Sequence, residues 1–153
     1  MAAAARIDTD RFRRDGFRFF TPMPTRWGDC DRFGHVNNVQ FVRYYESGRL
    51  DYFHRVLELD AVPNAENSLI IADLYVTFLH QIHHPCALQI GTRISRLGNS
   101  SFDFESAIFA PGDDSALSTA NATCVWFNFR DNHSAPIPAA ERTIIHLLEG
   151  IES

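Results

Sequence analysis

From Val39 to Glu58, apolar and aromatic side chains recur at helical spacing. Phe41, Tyr45, Gly48, Tyr52 and Val56 are four, three, four and four residues apart, which sets them on one face of a helix. Phe53 and Leu57 widen that face, and Val42 and Leu50 lie off it. The predicted helix is therefore apolar around much of its circumference and has to be covered on more than one side. Asn37 or Asn38 supplies its N-cap.

After the turn-forming stretch PNAEN the period changes to two. Ile70, Ala72, Leu74, Val76 and Phe78 alternate along one predicted strand, and Leu88, Ile90, Thr92 and Ile94 along the next. In a third, Phe102, Phe104 and Ile108 share a face opposite Asp103 and Glu105. In a fourth, Thr123, Val125, Phe127 and Phe129 oppose Cys124 and Trp126. The turns between them, LGNSS and APGDDSA, are short, which predicts an antiparallel meander. Ahead of the helix, residues 16–27 are rich in strand formers but contain Pro22 and Pro24, as suits an edge or interrupted strand. Residues 137–150 read as a closing helix, with Pro138 near its start and Gly150 after its end. The expected class is α+β: five antiparallel strands wrapped around one long helix, with a short C-terminal helix.

A length of 153 residues fits a single domain, 1–153, with residues 1–14 read as a flexible tail. Apolar residues make up 45% of the chain and 13 are Phe, so the core is aromatic. The formal net charge is −5 and no basic stripe is visible, which argues against a nucleic-acid partner. Three scattered cysteines, Cys30, Cys86 and Cys124, do not make a disulfide framework and point to a reducing compartment. No stretch reads as a signal peptide or a membrane span, so the expectation is a cytoplasmic protein with no membrane partner.

The stretch RWGDCDRFGHVNN, Arg26 to Asn38, gathers ionisable groups where the helix begins. The first N–H groups of a helix lack internal partners and, with the helix dipole, favour negative charge. Such donors polarise a carbonyl and stabilise the oxyanion that forms on it in acyl transfer. Asp31, seven residues before Asn38, can serve as nucleophile or as general base on water. His35 can donate to the carbonyl, orient the acid or shuttle a proton, and Gly34 allows close approach of the backbone. No serine or cysteine stands as a nucleophile, since Cys30 lies between two acids. Asp29 reads as structural. The histidines His80, His83 and His84 fall in a turn that ends at Pro85, so no metal site is expected. Glu46 and Arg49, three apart on the helix, read as an ion pair.

The pattern W-x-D-x-D-x-x-G-H-V-N-N is formed by Trp27, Asp29, Asp31, Gly34, His35, Val36, Asn37 and Asn38. Tyr44, Tyr45, Glu46 and Arg49 follow it. Together these residues resemble the hotdog-fold acyl-CoA thioesterases of the 4-hydroxybenzoyl-CoA thioesterase-like family. The likeness runs from about Gly16 to Phe129 and takes in VTFLHQI and LGNSS. It implies hydrolysis of an acyl-CoA to a free acid and the CoA thiol. Coenzyme A is then part of the substrate, with no further cofactor, and the homodimer, which can pair into a homotetramer, carries its active sites at the subunit interface. The family's catalytic carboxylate falls on Asp31, and its carbonyl-polarising amide near Asn38. His35 matches the histidine of the plant acyl-carrier-protein thioesterases, although these carry an Asn where this chain has Phe33. Substrate contacts are expected at Gly34, Val36, Asn37 and Asn38. The Ser100 and Ser101 turn, or Arg93 and Arg96, could meet the CoA phosphates. Two other readings are a hotdog hydratase or dehydratase, whose D-x-N-P-x-H-x-D motif is not matched here, and a non-catalytic acyl-CoA or acyl-carrier binding module.

Overall fold

The computed structural model describes residues 8–59 and 65–152. Its elements are β1 (Phe19–Pro24), α1 (Asn38–Val56), β2 (Asn67–Phe78), β3 (Ala87–Leu97), β4 (Ser101–Phe109), β5 (Ser118–Asn128), a two-residue β6 (His133–Ser134) and α2 (Ala139–Glu149). Every strand pair is antiparallel, in the order β1-β3-β4-β5-β2, with β6 beside β5. Tyr44, Tyr45 and Tyr52 of α1 pack with Leu88, Ile90 and Ile94 of β3, Phe104 and Ile108 of β4 and Ala120 of β5. A sheet of five long strands thus wraps one helix, which is the expected hotdog arrangement.

The meander is shorter than the sequence suggests. Among the long strands only β3, β4 and β5 are consecutive neighbours, because β1 occupies the outer edge of β3 and β2 crosses to the far side of β5. Among the described residues this leaves β2 as the terminal strand, with one edge unpaired. The side-chain alternation in β2 also changes phase. Ile71 pairs with Cys124 and Asp73 with Thr123, so Ala72 is an extra residue. On either side of this bulge Leu69 and Leu74 both face the core.

Asn37 caps α1 by accepting the Val39 N–H through Oδ1 at 3.0 Å. The helix ends two residues before Glu58, which has a φ of 53° and turns the chain away. Gly48 lets α1 lie close on β3: a Cβ there would stand 2.9 Å from Ile90 Cγ2. At the other end of the core, Tyr52 and the backbone N–H of Ile94 share Glu149 Oε1 of α2, and Gly150 takes the left-handed conformation that ends α2.

The segment before β1 departs from the expected tail. From Asp8 it is folded across the outer face of the sheet, with two short 3₁₀ turns and Phe12 fully buried beside Phe17, Ala107 and Phe109. Arg93 bonds Glu105 and donates to the Gly16 and Arg11 carbonyls, tying this strap to β3 and β4. The alternation expected for β4 holds, and the strap covers its outer face, where Glu105, Ala107 and Phe109 are buried. Residues 1–7, and Pro63 and Asn64 of the predicted PNAEN turn, lie outside the described residues.

Candidate active site

The loop from β1 to α1 is held from below by Asp29, which is 3% exposed. Its Oδ2 accepts the Tyr44 hydroxyl at 2.6 Å and the Arg26 N–H at 2.8 Å, and Oδ1 accepts the Arg26 guanidinium at 3.0 Å. Burial pushes this carboxyl up. The hydrogen bonds from Tyr44 and Arg26, with the Arg26 charge, outweigh that and hold it below the usual range. Asp29 is structural, as the sequence suggests.

The chain then forms a tight hairpin. The Asp31 N–H donates to the His35 carbonyl at 3.0 Å and the Asn37 N–H to the Asp29 carbonyl at 2.9 Å, on either side of the Cys30–Val36 bridge. At the tip, Asp31 Oδ1 accepts the Phe33 N–H at 2.8 Å and the Gly34 N–H reaches the Asp31 carbonyl at 3.1 Å. Gly34 has a φ of 86°, a conformation that strains residues with a side chain. The hairpin is pinned to the β2–β3 connection by the Val36 N–H on the Ile82 carbonyl, at 2.8 Å, and by His83 Nδ1 against the Gly34 carbonyl, at 3.3 Å. Asp31 and His35 are thus set side by side on a fixed backbone.

Asp31, His35, Val36 and Asn38 line a cleft of about 330 Å³, with Phe41, Phe78, His80 and Gln81 on its other walls. In the first turn of α1, the Val39 N–H is taken by Asn37 Oδ1 and the Gln40 N–H by the Asn37 carbonyl. Among the described residues, no acceptor meets the Asn38 N–H. It is the open donor at the positive end of the helix, and it borders the cleft that Asp31 lines. The Asp31 Oδ2 atom is likewise without a described partner. His35 stacks on Phe33 (centroids 6.4 Å apart) and meets the edge of His83 at 5.7 Å, and no hydrogen bond joins it to Asp31. A carboxylate, an imidazole and an open main-chain donor around a partly apolar cleft can polarise a carbonyl and direct water, or the carboxylate itself, at its carbon.

The remaining candidates separate from this group. Gly34 acts through its backbone, as a hinge, and Asn37 caps α1 through its side chain. Ser100 and Ser101 lie in the β3–β4 turn, where the Ser100 carbonyl accepts the Trp126 N–H and Ser101 Oγ accepts from Arg96. Ser101 is level with Val125 and Ile70, eight residues along β2 from Phe78, or about 26 Å by strand rise. Within one chain the turn is therefore remote from the cleft. Arg93 and Arg96 are occupied by Glu105 and Asp103. Glu46 is exposed and Arg49 buried, and the expected ion pair between them is absent. His84 bonds Thr25 Oγ1 and His83 turns to Gly34, so the three histidines diverge. The cysteines are free thiols, and burial raises the pKa of Cys86 and pushes Cys124 up to about 12. Sequence reasoning missed Tyr44 as the support of Asp29, and Phe78 and His80 as cleft walls. Helical spacing marks Tyr44 as buried but does not show where its hydroxyl points.

The profile of the Thioesterase-like superfamily matches residues 25–145. Among curated relatives, acyl-acyl carrier protein thioesterase ATL2 of Arabidopsis thaliana chloroplasts is 28% identical over 101 residues, 65% of this chain and 54% of that protein. The chain spans between half and two-thirds of the length of the curated relatives it matches. Among solved structures, the PA5185 protein of Pseudomonas aeruginosa superposes with a TM-score of 0.83 at 28% identity, over 90% of this chain and 95% of that one. A thioesterase from Thermus thermophilus, crystallised with coenzyme A and Zn, superposes with a TM-score of 0.75 at 29% identity, over 91% and 99% of the two chains.

Proposed function

Because this chain belongs to the Thioesterase-like superfamily, we propose that it hydrolyses acyl-CoA thioesters to the free acid and the CoA thiol. The observation that carries this reading is the shared cleft of the Asp31 carboxylate and the open Asn38 N–H. The thioester carbonyl oxygen sits on the Asn38 N–H, which stabilises the oxyanion as the carbonyl carbon becomes tetrahedral. Asp31 takes a proton from the attacking water, and collapse of the intermediate expels the thiolate. Alternatively, Asp31 attacks directly, releases the thiolate and forms a mixed anhydride that water then cleaves. In both routes His35 donates to the carbonyl or orients the carboxylate.

Coenzyme A as the carrier is supported by the Thermus thermophilus relative, whose structure contains it. The ATL2 likeness supports a second carrier, an acyl-carrier protein. We assign the chain as a homodimer, able to pair into tetramers, with the cleft beside the interface. The unpaired edge of β2 and the exposed Ile71, Tyr75 and Phe78 support this, as do Val39 and Leu50 on α1. The free thiols support a cytoplasmic setting.

A thiol-release assay across short, long and aromatic acyl-CoAs, with acyl-carrier-protein thioesters in parallel, tests the reading. It predicts release from at least one acyl-CoA. Release from carrier-protein thioesters alone would move the substrate to the second carrier, and no release from any of them would contradict the hydrolase assignment.

A further inference from the structure

Arg49 is 6% exposed, yet among the described residues no hydrogen bond or ion pair holds its guanidinium. A buried cation without a partner is costly, and folded proteins retain one where something else supplies the counter-group. Its surroundings identify that group. At about 100° per residue, Asn38, Val42, Arg49 and Phe53 fall within roughly 60° of each other on α1. Asn38 borders the catalytic cleft with Phe78 of β2. Phe53 borders a second cavity, of about 280 Å³, with Leu69 of β2 and Trp126 of β5. The opposite flank of α1 faces β1, where Thr21 bonds Asp51 and Arg55 reaches the Phe20 carbonyl. Arg49 therefore lies in the gap between α1 and the β5–β2 side of the sheet, between the two cavities and near the thiol of Cys124 of β5, while the exposed Glu46 carboxylate favours its charged form only from beyond ion-pair distance.

We propose that Arg49 is a specificity-determining residue that receives a distal oxygen, most favourably a carboxylate, on the acyl group. This inference rests on the thioesterase reading above. Arg49 follows Asn38 by eleven residues, about 16 Å along the helix axis. Its side chain leans back toward the helix start, which brings the guanidinium to about 10 Å from the carbonyl site. A saturated chain advances about 1.2 Å per bond, so the far carboxylate of an eight-carbon α,ω-diacid reaches about 8–9 Å from the thioester carbon. A purely apolar acyl chain laid over Arg49 would strip it of its last water and give nothing in return. A second protomer seated on the exposed stripe of Val39, Arg43 and Leu50 approaches α1 about 100° away from Arg49, whereas an acyl group entering at Asn38 runs toward it.

The test compares octanoyl-CoA with the mono-CoA thioester of suberic acid, on the wild-type dimer and on Arg49→Met and Arg49→Lys. The ratio of kcat/KM, suberyl over octanoyl, falls about ten- to a hundredfold in Arg49→Met, the range expected for one charged hydrogen bond. Arg49→Lys keeps the charge but loses the paired donors, and falls between. Non-hydrolysable thioether analogues give a second readout: the suberyl analogue raises Tm more than the octanoyl one in the wild type, and this difference disappears in Arg49→Met. If neither thioester is turned over, the hydrolase reading fails, and the analogues still decide the role of Arg49. An unchanged ratio and unchanged analogue shifts in Arg49→Met would overturn the proposal. So would a variant that does not fold, since removing an unpaired buried charge raises Tm on this account. A variant that elutes as a monomer with its ratio intact would assign the guanidinium to the second protomer and overturn it equally.

Discussion

The Tyr44 hydroxyl, on the buried face of α1, donates a 2.6 Å hydrogen bond to Oδ2 of Asp29, two residues before Asp31. Through this contact the helix holds the loop that presents the Asp31 carboxylate. Tyr44→Phe keeps the packing and removes the donor. Hydrogen bonds to charged groups contribute about 1.5–3 kcal/mol, and Arg26 still satisfies Asp29 in part. The expected result is a loss of about 1–3 kcal/mol in urea unfolding and a roughly tenfold fall in kcat as the hairpin loosens. Full stability together with wild-type turnover would show that the contact does not position Asp31.

The same carboxylate sets an acid dependence. The Asp29 pKa in the folded protein lies below the ordinary aspartate value of 3.8, so its stabilising effect is complete above the unfolded pKa. It is lost as pH falls through the folded value. Asp29→Asn is therefore less stable than wild type at pH 7, and the two stability curves converge between about pH 4 and pH 2. Urea midpoints measured at half-unit pH steps check this. Asp103, also lowered, chiefly by its Arg96 hydrogen bond, is common to both proteins and cancels in the difference. Parallel curves down to pH 2 would mean that the Asp29 hydrogen bonds contribute little.

The open edge of β2 predicts the assembly. Wild-type protein should elute as a dimer or larger. A double variant, Ile71→Glu with Tyr75→Glu, places charges on the exposed side of that strand and should elute as a monomer with unchanged far-UV circular dichroism and little activity. A fully active monomeric variant would remove the interface from the site.

Much of this architecture is legible in the pattern of residues. The face Phe41, Tyr45, Gly48, Tyr52 sits against the sheet, and Leu88, Ile90, Thr92 and Ile94 all point inward. What periodicity missed has local causes. The bulge at Ala72 is one inserted residue, with no glycine or proline to mark it, and it shifts the phase of a period-two count. The crossing of β2 to the far edge depends on β1 having claimed β3, and no local signal carries that. The strap from Asp8 to Gly16 reads as a polar tail because a single Phe12 anchors it and arginines supply its other contacts. At the site, Asp31, His35 and Asn38 come together because they are close in sequence across one hairpin. Ser100 and Ser101 do not, because their placement depended on distant pairing.

The central claim is that Asp31 drives attack on a carbonyl held by the Asn38 N–H. Replacement by Asn keeps the side-chain acceptor that fixes the hairpin tip through the Phe33 N–H, and removes only the basic or nucleophilic oxygen. The most direct measurement is kcat for thiol release by Asp31→Asn on the best acyl-CoA, alongside its Tm. The account predicts a fall of about 10²–10⁴-fold with Tm essentially that of wild type. Turnover within about twofold of wild type, from a folded variant, would contradict it, since even a modest general-base contribution exceeds that margin.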